Sequence, residues 1–272
     1  MRRLFVLFAL VLFSALPAQG QTPTVTVSGK SISVTVSVPG GYSADVTLSF
    51  EDVTGLSVAS LGASAQLIDP SDPALLARLP ASVTPALQML LRIEPPLTGP
   101  LSFRGIATLE VHTHNLQYTP TTPLRLFHAP VGGPFEDMTA GMGAGSYRAR
   151  GTSGGFSEFL IVSDVRPVDQ VITAKFDDLE DFLDEYSGSM PASLASNLSA
   201  ILTTAEADFA RGALGDAIRG VDSFQALVEQ NSGTSVPNVW RSARDLENAA
   251  GYLRAGAKTL RFSLALKSDL GL

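Results

Sequence analysis

The chain has 272 residues, no cysteine and a formal net charge of −7. The lack of cysteine excludes disulfides, thiolate metal sites, cysteine nucleophiles and cysteine-linked haem or lipid. The excess of carboxylates argues against a nucleic-acid-binding protein and against attraction to anionic membrane surfaces. At this length, one large or two small domains bury enough surface to fold without a metal or a disulfide.

The first 20 residues have the composition of a secretory signal peptide. Two arginines precede the apolar run Leu4–Leu16, and Ala18 and Gly20 occupy the small-residue positions before a cleavage site. A signal peptide combines a basic segment, an apolar segment of about 7–15 residues and such a site. The alternative, a membrane anchor, is disfavoured because ~20 apolar residues are needed to span a bilayer. We therefore predict an exported chain that begins at Gln21, resides in the periplasm or outside the cell, and does not insert into the membrane after cleavage.

Residues 22–165 show the period-two alternation of half-buried strands. In Ser31–Val38, for example, every second residue is apolar. Clusters of glycine and proline separate the runs, a pattern typical of an antiparallel β-sandwich. The predicted strands are 24–28, 31–38, 44–50, 64–67, 89–93, 107–114, 124–127, 146–150 and 156–162. A short helix is a further candidate around Ala74–Leu79.

From about Val168 the apolar period changes to the 3.6 residues of an amphipathic helix. The predicted helices are one through 176–186, one from Pro191 to a C-terminal stop at Gly212, one through 217–231, and one that begins near Pro237. The segment Thr259–Leu266 is compatible with a further helix or with a returning strand. Short loops between such helices favour an antiparallel bundle. The predicted fold class is therefore α+β, with an antiparallel β-sandwich domain at 21–165 followed by a helical domain at 166–272.

Three segments of the first half resemble the closing strands of secreted bacterial β-sandwich modules. They are an apolar strand at Leu124–Phe127, an aromatic-x-Asp-aliphatic-Thr hairpin at Phe135–Thr139 and a Phe-Ser-x-Phe strand within Gly155–Ile161. The resemblance covers about forty residues and implies a sandwich architecture. It implies no catalytic residue.

The segment Met190–Gly233 is similar to the FIMAH-type helical hairpin of exported bacterial proteins. The residues that carry the resemblance are Leu198, Leu202, Ala205, Gly212, Ala217, Ile218, Val221, Phe224 and Val228. That module has no assigned active site, so the resemblance implies an interaction or scaffold element. The whole chain resembles an exported bacterial family of unknown function.

One strand carries residues that are able to ligate a metal. Glu110, His112 and His114 share a face of the predicted strand 107–114, because alternate side chains of a strand point the same way. Two imidazoles and a carboxylate form the facial triad of iron enzymes, and three histidines hold catalytic zinc. His128 ends another predicted strand and is the candidate third histidine. The alternative interpretation, which we favour, is the polar outer face of an amphipathic strand.

Three other features have structural interpretations. The acidic run Asp177–Glu185 lacks the glycine turn and ligand spacing of a calcium-binding loop, which favours a solvated helix face. The glycine-rich stretch Gly141–Gly145 precedes a strand rather than a helix, so it predicts a hairpin loop instead of a phosphate-binding loop. Trp240, placed on the fourth helix, is predicted to be a buried packing anchor.

These observations predict a non-enzymatic extracytoplasmic binding or scaffold protein of bacterial type. Its expected partner is a protein or a cell-envelope polymer, and no cofactor is predicted. The glycine-rich loops at 131–134 and 141–145 are candidate contact regions. The alternative is a metal-dependent enzyme built on the His-x-His strand, and a structural subunit of a surface assembly is a third candidate.

Overall fold

The computed structural model of the protein describes residues 24–271, so the predicted signal peptide lies outside the described residues. Twelve strands are found in that range. They are β1 (Thr24–Ser28), β2 (Ser31–Val38), β3 (Tyr42–Thr54), β4 (Ala63–Leu67), β5 (Val83–Ile93), β6 (Ser102–Gln117), β7 (Leu124–Ala129), β8 (Glu136–Asp137), β9 (Thr139–Gly143), β10 (Ser146–Ser153), β11 (Glu158–Asp164) and β12 (Val239–Arg241).

Two antiparallel sheets pack as a β-sandwich, as the alternating pattern predicts. The first sheet, sheet A, has the strand order β1-β2-β3-β6-β10-β9, and β12 pairs with β6 outside this path. The second, sheet B, has the order β4-β5-β11-β7-β8. Alternate apolar residues of each strand point into the space between the sheets. On β2 these are Ile32, Val34, Val36 and Val38.

The nine predicted strands are all present, although most extend further than predicted. The hairpin loop predicted over Gly141–Gly145 needs correction. Gly141 and Gly143 belong to strand β9, because alternate glycines still pair with the backbone of β10. The hairpin turn is confined to Ala144 and Gly145, where Gly145 takes a φ of +94° that favours glycine.

Six helices are found within residues 24–271. They are α1 (Val58–Leu61), α2 (Pro73–Leu76), α3 (Val168–Tyr186), α4 (Ala192–Ala210), α5 (Leu214–Asn231) and α6 (Ala249–Leu270). The four long helices share a second apolar core that includes Phe176, Leu198, Phe224 and Leu260. The α+β fold class is confirmed, and the undecided segment Thr259–Leu266 is helical. No helix in the described range is long and apolar enough to cross a membrane.

The predicted start of the fourth helix, near Pro237, is wrong. Residues 239–241 form β12, and the helix begins at Ala249. Trp240 is nevertheless a packing anchor, because only 4% of it is exposed and its ring stacks on Phe103 at a centroid distance of 5.4 Å. Phe156 packs edge-on against the same indole at 4.7 Å. Tertiary contacts with the sandwich core therefore override the helical pattern near Pro237.

The helical region is joined to the sandwich at several points. Strand β12 pairs with residues 102–104 of β6, beyond the segment that pairs with β10. The Asn248 side chain caps α6 and donates to the carbonyls of Gly105 and Gly154. Arg254 on α6 makes two 2.8 Å hydrogen bonds to the carboxylate of Glu51 on β3. The division into folding units at 21–165 and 166–272 stays a prediction, which unfolding experiments test directly.

Candidate functional site

The outer face of sheet A is polar and is arranged in rows across three strands. Because β3, β6 and β10 are in register, side chains of one row are neighbours on one surface. The rows are Asp45–His112–Arg148, Thr47–Glu110–Arg150 and Ser49–Thr108–Thr152. Their sequence neighbours on each strand, such as Val46, Leu109 and Ala149, point into the core. Alternation thus places hydroxyl, carboxylate, imidazole and guanidinium groups together on the opposite face.

Helices α5 and α6 cover one end of this face and leave a cleft of about 700 Å³. The floor of the cleft consists of Thr47, Ser49, Thr108, Glu110, Ala140, Arg150 and Thr152. The opposite wall consists of Asp222, Gln225, Lys258, Arg261, Phe262 and Ala265. This volume lies within the usual range for a small-molecule site, about 300–1,000 Å³. Most of the lining side chains are polar, which favours a polar occupant.

Both carboxylates of the cleft are held by arginines. Arg150 donates to Glu110 with an N–O distance of 2.7 Å, and Arg148 approaches the same carboxylate at 3.5 Å. Arg261 pairs with Asp222 at 2.5 Å. These pairs leave neither carboxylate unpartnered, so the acidic residues of the cleft contribute little free negative charge.

Among the cations that line the cleft, Lys258 forms no ion pair with a carboxylate of the described residues. No carboxylate of the described residues lies within 4.0 Å of its ammonium group. Its pKa is lowered, first because burial disfavours the charged form and then because Arg254 lies nearby, whereas the charges of Glu51 and Glu229 act in the opposite direction. An anionic group bound beside Lys258 would oppose this shift, because an opposite charge nearby favours the charged form of the lysine.

The open end of the same face holds the two histidines of the His-x-His motif. The Nε2 atom of His114 lies 3.0 Å from Oδ2 of Asp45, and Nδ1 of His112 lies 3.8 Å from the same oxygen. All three ligand atoms lie within 4.8 Å of one another. The other carboxylate oxygen of Asp45 accepts a 3.2 Å hydrogen bond from Thr35.

The structure does not bring together all four residues considered from the sequence. His112 and His114 are adjacent, with ring centroids 5.1 Å apart, whereas Glu110 is engaged by arginines in the cleft. His128 lies on β7 in sheet B, so it belongs to the other sheet. Burial lowers its pKa to about 4, although the nearby Asp137 acts in the opposite direction.

Sequence reasoning missed Asp45 on the face of sheet A and Lys258 in the helical wall of the cleft. Aspartate is depleted in strands, and Asp45 interrupts the otherwise apolar and hydroxylic run Tyr42–Phe50 of β3, which is a usable signal. Its contact with the histidines depends on β3 pairing with β6, two strands that are far apart in sequence. The sequence gives no comparable indication for Lys258, because the apolar period does not show that α6 packs against the sheet.

A second group of titratable residues surrounds a small cavity of about 30 Å³ between helices α3 and α6 and strands β7, β8 and β10. Lys175 bonds there to Asp137 and also donates to the hydroxyls of Thr259 and Ser263. These partners saturate its ammonium group, which indicates a structural role. Glu136 lies beside them, and burial followed by the charges of Asp178 and Asp181 raises its pKa to about 7.

The fold and the face together define an α+β protein in which a helical bundle forms a polar cleft on the outer surface of a β-sandwich. The chain belongs to the family described as "Family of unknown function (DUF6689)", whose profile matches residues 7–267. No curated protein and no solved structure matches the chain.

Proposed function

We propose that this protein is a non-enzymatic, exported binding protein of bacterial type that holds an acidic glycan of the cell envelope. The binding site is the cleft between sheet A and helices α5 and α6. The observation that carries the proposal is the combination of a hydroxyl-lined floor with the unpaired Lys258 in the opposite wall.

The chemistry of the lining selects the ligand class. Thr47, Ser49 and Thr108 present hydroxyl groups that act as both donors and acceptors. Such groups suit a ligand rich in hydroxyl and amide groups, and the partly exposed ring of Phe262 adds an apolar surface. Lys258 adds a preference for a carboxylate. A glycan that carries acidic substituents meets these requirements, which favours an envelope polymer over a protein as the partner.

The state of the cleft carboxylates favours binding over acid–base chemistry. General acid–base catalysis needs a group that is free to transfer a proton to the substrate. Glu110 and Asp222 are instead engaged by Arg150 and Arg261. The export of the chain is supported by the composition of residues 1–20 and remains part of the proposal.

The test is co-sedimentation of the full-length chain with purified bacterial peptidoglycan, in which the peptides attached to the sugar chains carry carboxylates. Chitin provides the control, because it has the same N-acetylglucosamine units without acidic substituents. We expect binding to peptidoglycan and at least about tenfold weaker binding to chitin, since a charged hydrogen bond contributes about 1.5–3 kcal/mol.

A matched pair of variants localises the interaction. Lys258→Met removes the cleft cation and should weaken peptidoglycan binding at least about tenfold. Lys30→Met removes an exposed lysine that pairs with Asp52 and does not line the cleft, and should bind as the unmodified chain does. Equal binding to chitin, or unchanged binding by Lys258→Met, would contradict the proposal.

A further inference from the structure

The open end of the polar face carries a second arrangement of ligand atoms, separate from the cleft. Asp45 lies directly opposite His112 in the pairing of β3 with β6, and His114 follows two residues along the same strand face. The three side chains are partly exposed, with 48%, 27% and 43% of the side chain accessible for Asp45, His112 and His114. They are therefore reachable from solvent.

The distances between the ligand atoms match those around a small metal ion. Bonds of about 2.0–2.1 Å at tetrahedral angles place neighbouring ligand atoms about 3.4 Å apart. The two nitrogen–oxygen distances of 3.0 and 3.8 Å lie on either side of this value. The two imidazole nitrogens lie within 4.8 Å of each other, so side-chain rotation is needed to bring all three atoms to bonding distance of one ion.

The carboxylate is already oriented for this role. Thr35 pairs with Asp45 across β2 and β3, and its hydroxyl donates to Oδ1 of the carboxylate. The remaining oxygen, Oδ2, faces both imidazoles. Hydrogen bonds of this kind orient metal ligands, and their loss typically weakens metal binding about 10–100-fold.

We propose that Asp45, His112 and His114 bind one divalent transition-metal ion, with solvent completing its coordination. Two imidazoles and one carboxylate favour ions such as Zn²⁺ over Mg²⁺, which prefers oxygen ligands. The proposal replaces the four-residue set considered from the sequence, because Glu110 is bound by arginines and His128 lies on the other sheet. It does not depend on the function proposed for the cleft, with which it shares no residue.

Isothermal titration of the chelator-treated, untagged full-length chain with Zn²⁺ tests the proposal. We expect one ion per chain and no measurable heat with Mg²⁺. His112→Ala and His114→Ala should each weaken Zn²⁺ binding more than about 100-fold, and Thr35→Val about tenfold. All three side chains are at the surface, so circular dichroism should show unchanged folding.

Two control variants distinguish this site from the four-residue metal site considered from the sequence, which also included Glu110 and His128. Glu110→Gln and His128→Gln should change the Zn²⁺ affinity by less than about twofold, since neither residue is a ligand here. Absence of stoichiometric Zn²⁺ binding would overturn the proposal. Binding that survives both His112→Ala and His114→Ala, or that is lost in His128→Gln while the protein remains folded, would also overturn it.

Discussion

The ammonium group of Lys175 and the carboxylate of Asp137 form an ion pair with an N–O distance of 2.7 Å, and only 2% of either side chain is exposed. Lys175 belongs to α3 and Asp137 to β8, so the pair joins the helical bundle to the sandwich. Thr259 on α6 strengthens this junction, because its hydroxyl accepts from Lys175 and also contacts the carbonyls of Asp137 and Thr139. Although burial opposes ionisation of both groups, the attraction of Lys175 holds the pKa of Asp137 below its usual range.

Breaking this pair should be costly, whereas removing both charges should not be. Lys175→Met leaves a buried carboxylate without its cation and should lower the free energy of unfolding by about 3–5 kcal/mol. The double variant Lys175→Met with Asp137→Leu should recover most of that loss, because buried pairs are often replaceable by apolar residues of similar size. Urea unfolding measures both. A double variant as unstable as the single one would contradict a mainly electrostatic cost.

Asn248 is expected to stabilise the folded state through two separate sets of hydrogen bonds. Its Oδ1 accepts from the Gly251 backbone as the cap of α6, while its amide group bonds to two buried carbonyls. Asn248→Ala should lower the free energy of unfolding by about 2–4 kcal/mol. Asn248→Ser keeps a capping oxygen but is too short to reach the carbonyls, so it should recover about 1 kcal/mol. Equal stability of the two variants would show that the cap contributes nothing.

Trp240 is the only tryptophan of the chain, and it provides a test of the predicted division into two units. The residue belongs to the C-terminal half, but its ring lies in the core of the sandwich. Its fluorescence therefore reports unfolding of the sandwich, while far-ultraviolet circular dichroism is dominated by the helices. We predict that the two signals change at the same denaturant concentration, because the buried contacts of Trp240, Asn248 and Lys175 with the sandwich couple the halves. Two separated transitions would instead support independent domains at 21–165 and 166–272.

Glu136 should make stability depend on pH. Its raised pKa of about 7 means that the folded chain retains a proton that the unfolded chain releases near pH 4.5. The folded state therefore loses stability as pH rises through this interval. Glu136→Gln removes the effect, so its stability relative to the unmodified chain should increase by about 1–2 kcal/mol between about pH 5 and pH 8, allowing for solvent screening.

The unmodified chain must be compared with Glu136→Gln because His128 changes the pH dependence of stability in the opposite direction. The lowered pKa of His128 makes the folded chain gain stability as pH rises from about 4 towards 6.5. Subtracting the two unfolding curves cancels this contribution. A stability difference that stays constant or decreases with pH would contradict the account of Glu136.

Local patterns predicted the elements well where neighbours in sequence decide the structure. The alternation in β2 and β3, the apolar stripe of α3 and the stop at Gly212 with its φ of +80° all match the structure. The acidic run of α3 is largely exposed, as expected, although Asp178 is partly covered. These features depend on side-chain periodicity and on the conformational freedom of glycine.

Long-range contacts account for what the patterns did not predict. The strand at Trp240 forms because an edge of β6 is available and an aromatic cluster surrounds the indole. Lys175 is buried because Asp137, over 30 residues earlier in the chain, lies opposite it, whereas lysine alone is typical of a surface. The pairing of Asp45 with His112 and His114 likewise depends on strand order in sheet A, which periodicity does not specify.

Nuclear magnetic resonance tests most directly whether the ligand binds in the cleft between sheet A and helices α5 and α6. Isotope-labelled chain is titrated with a soluble peptidoglycan fragment, and backbone amide shifts are followed. We predict that the largest changes cluster in the segments 47–49, 108–110, 150–152 and 258–262, which contain residues that line the cleft. Changes confined to the loop at 131–134 or to sheet B, or no changes at all, would contradict binding in the cleft.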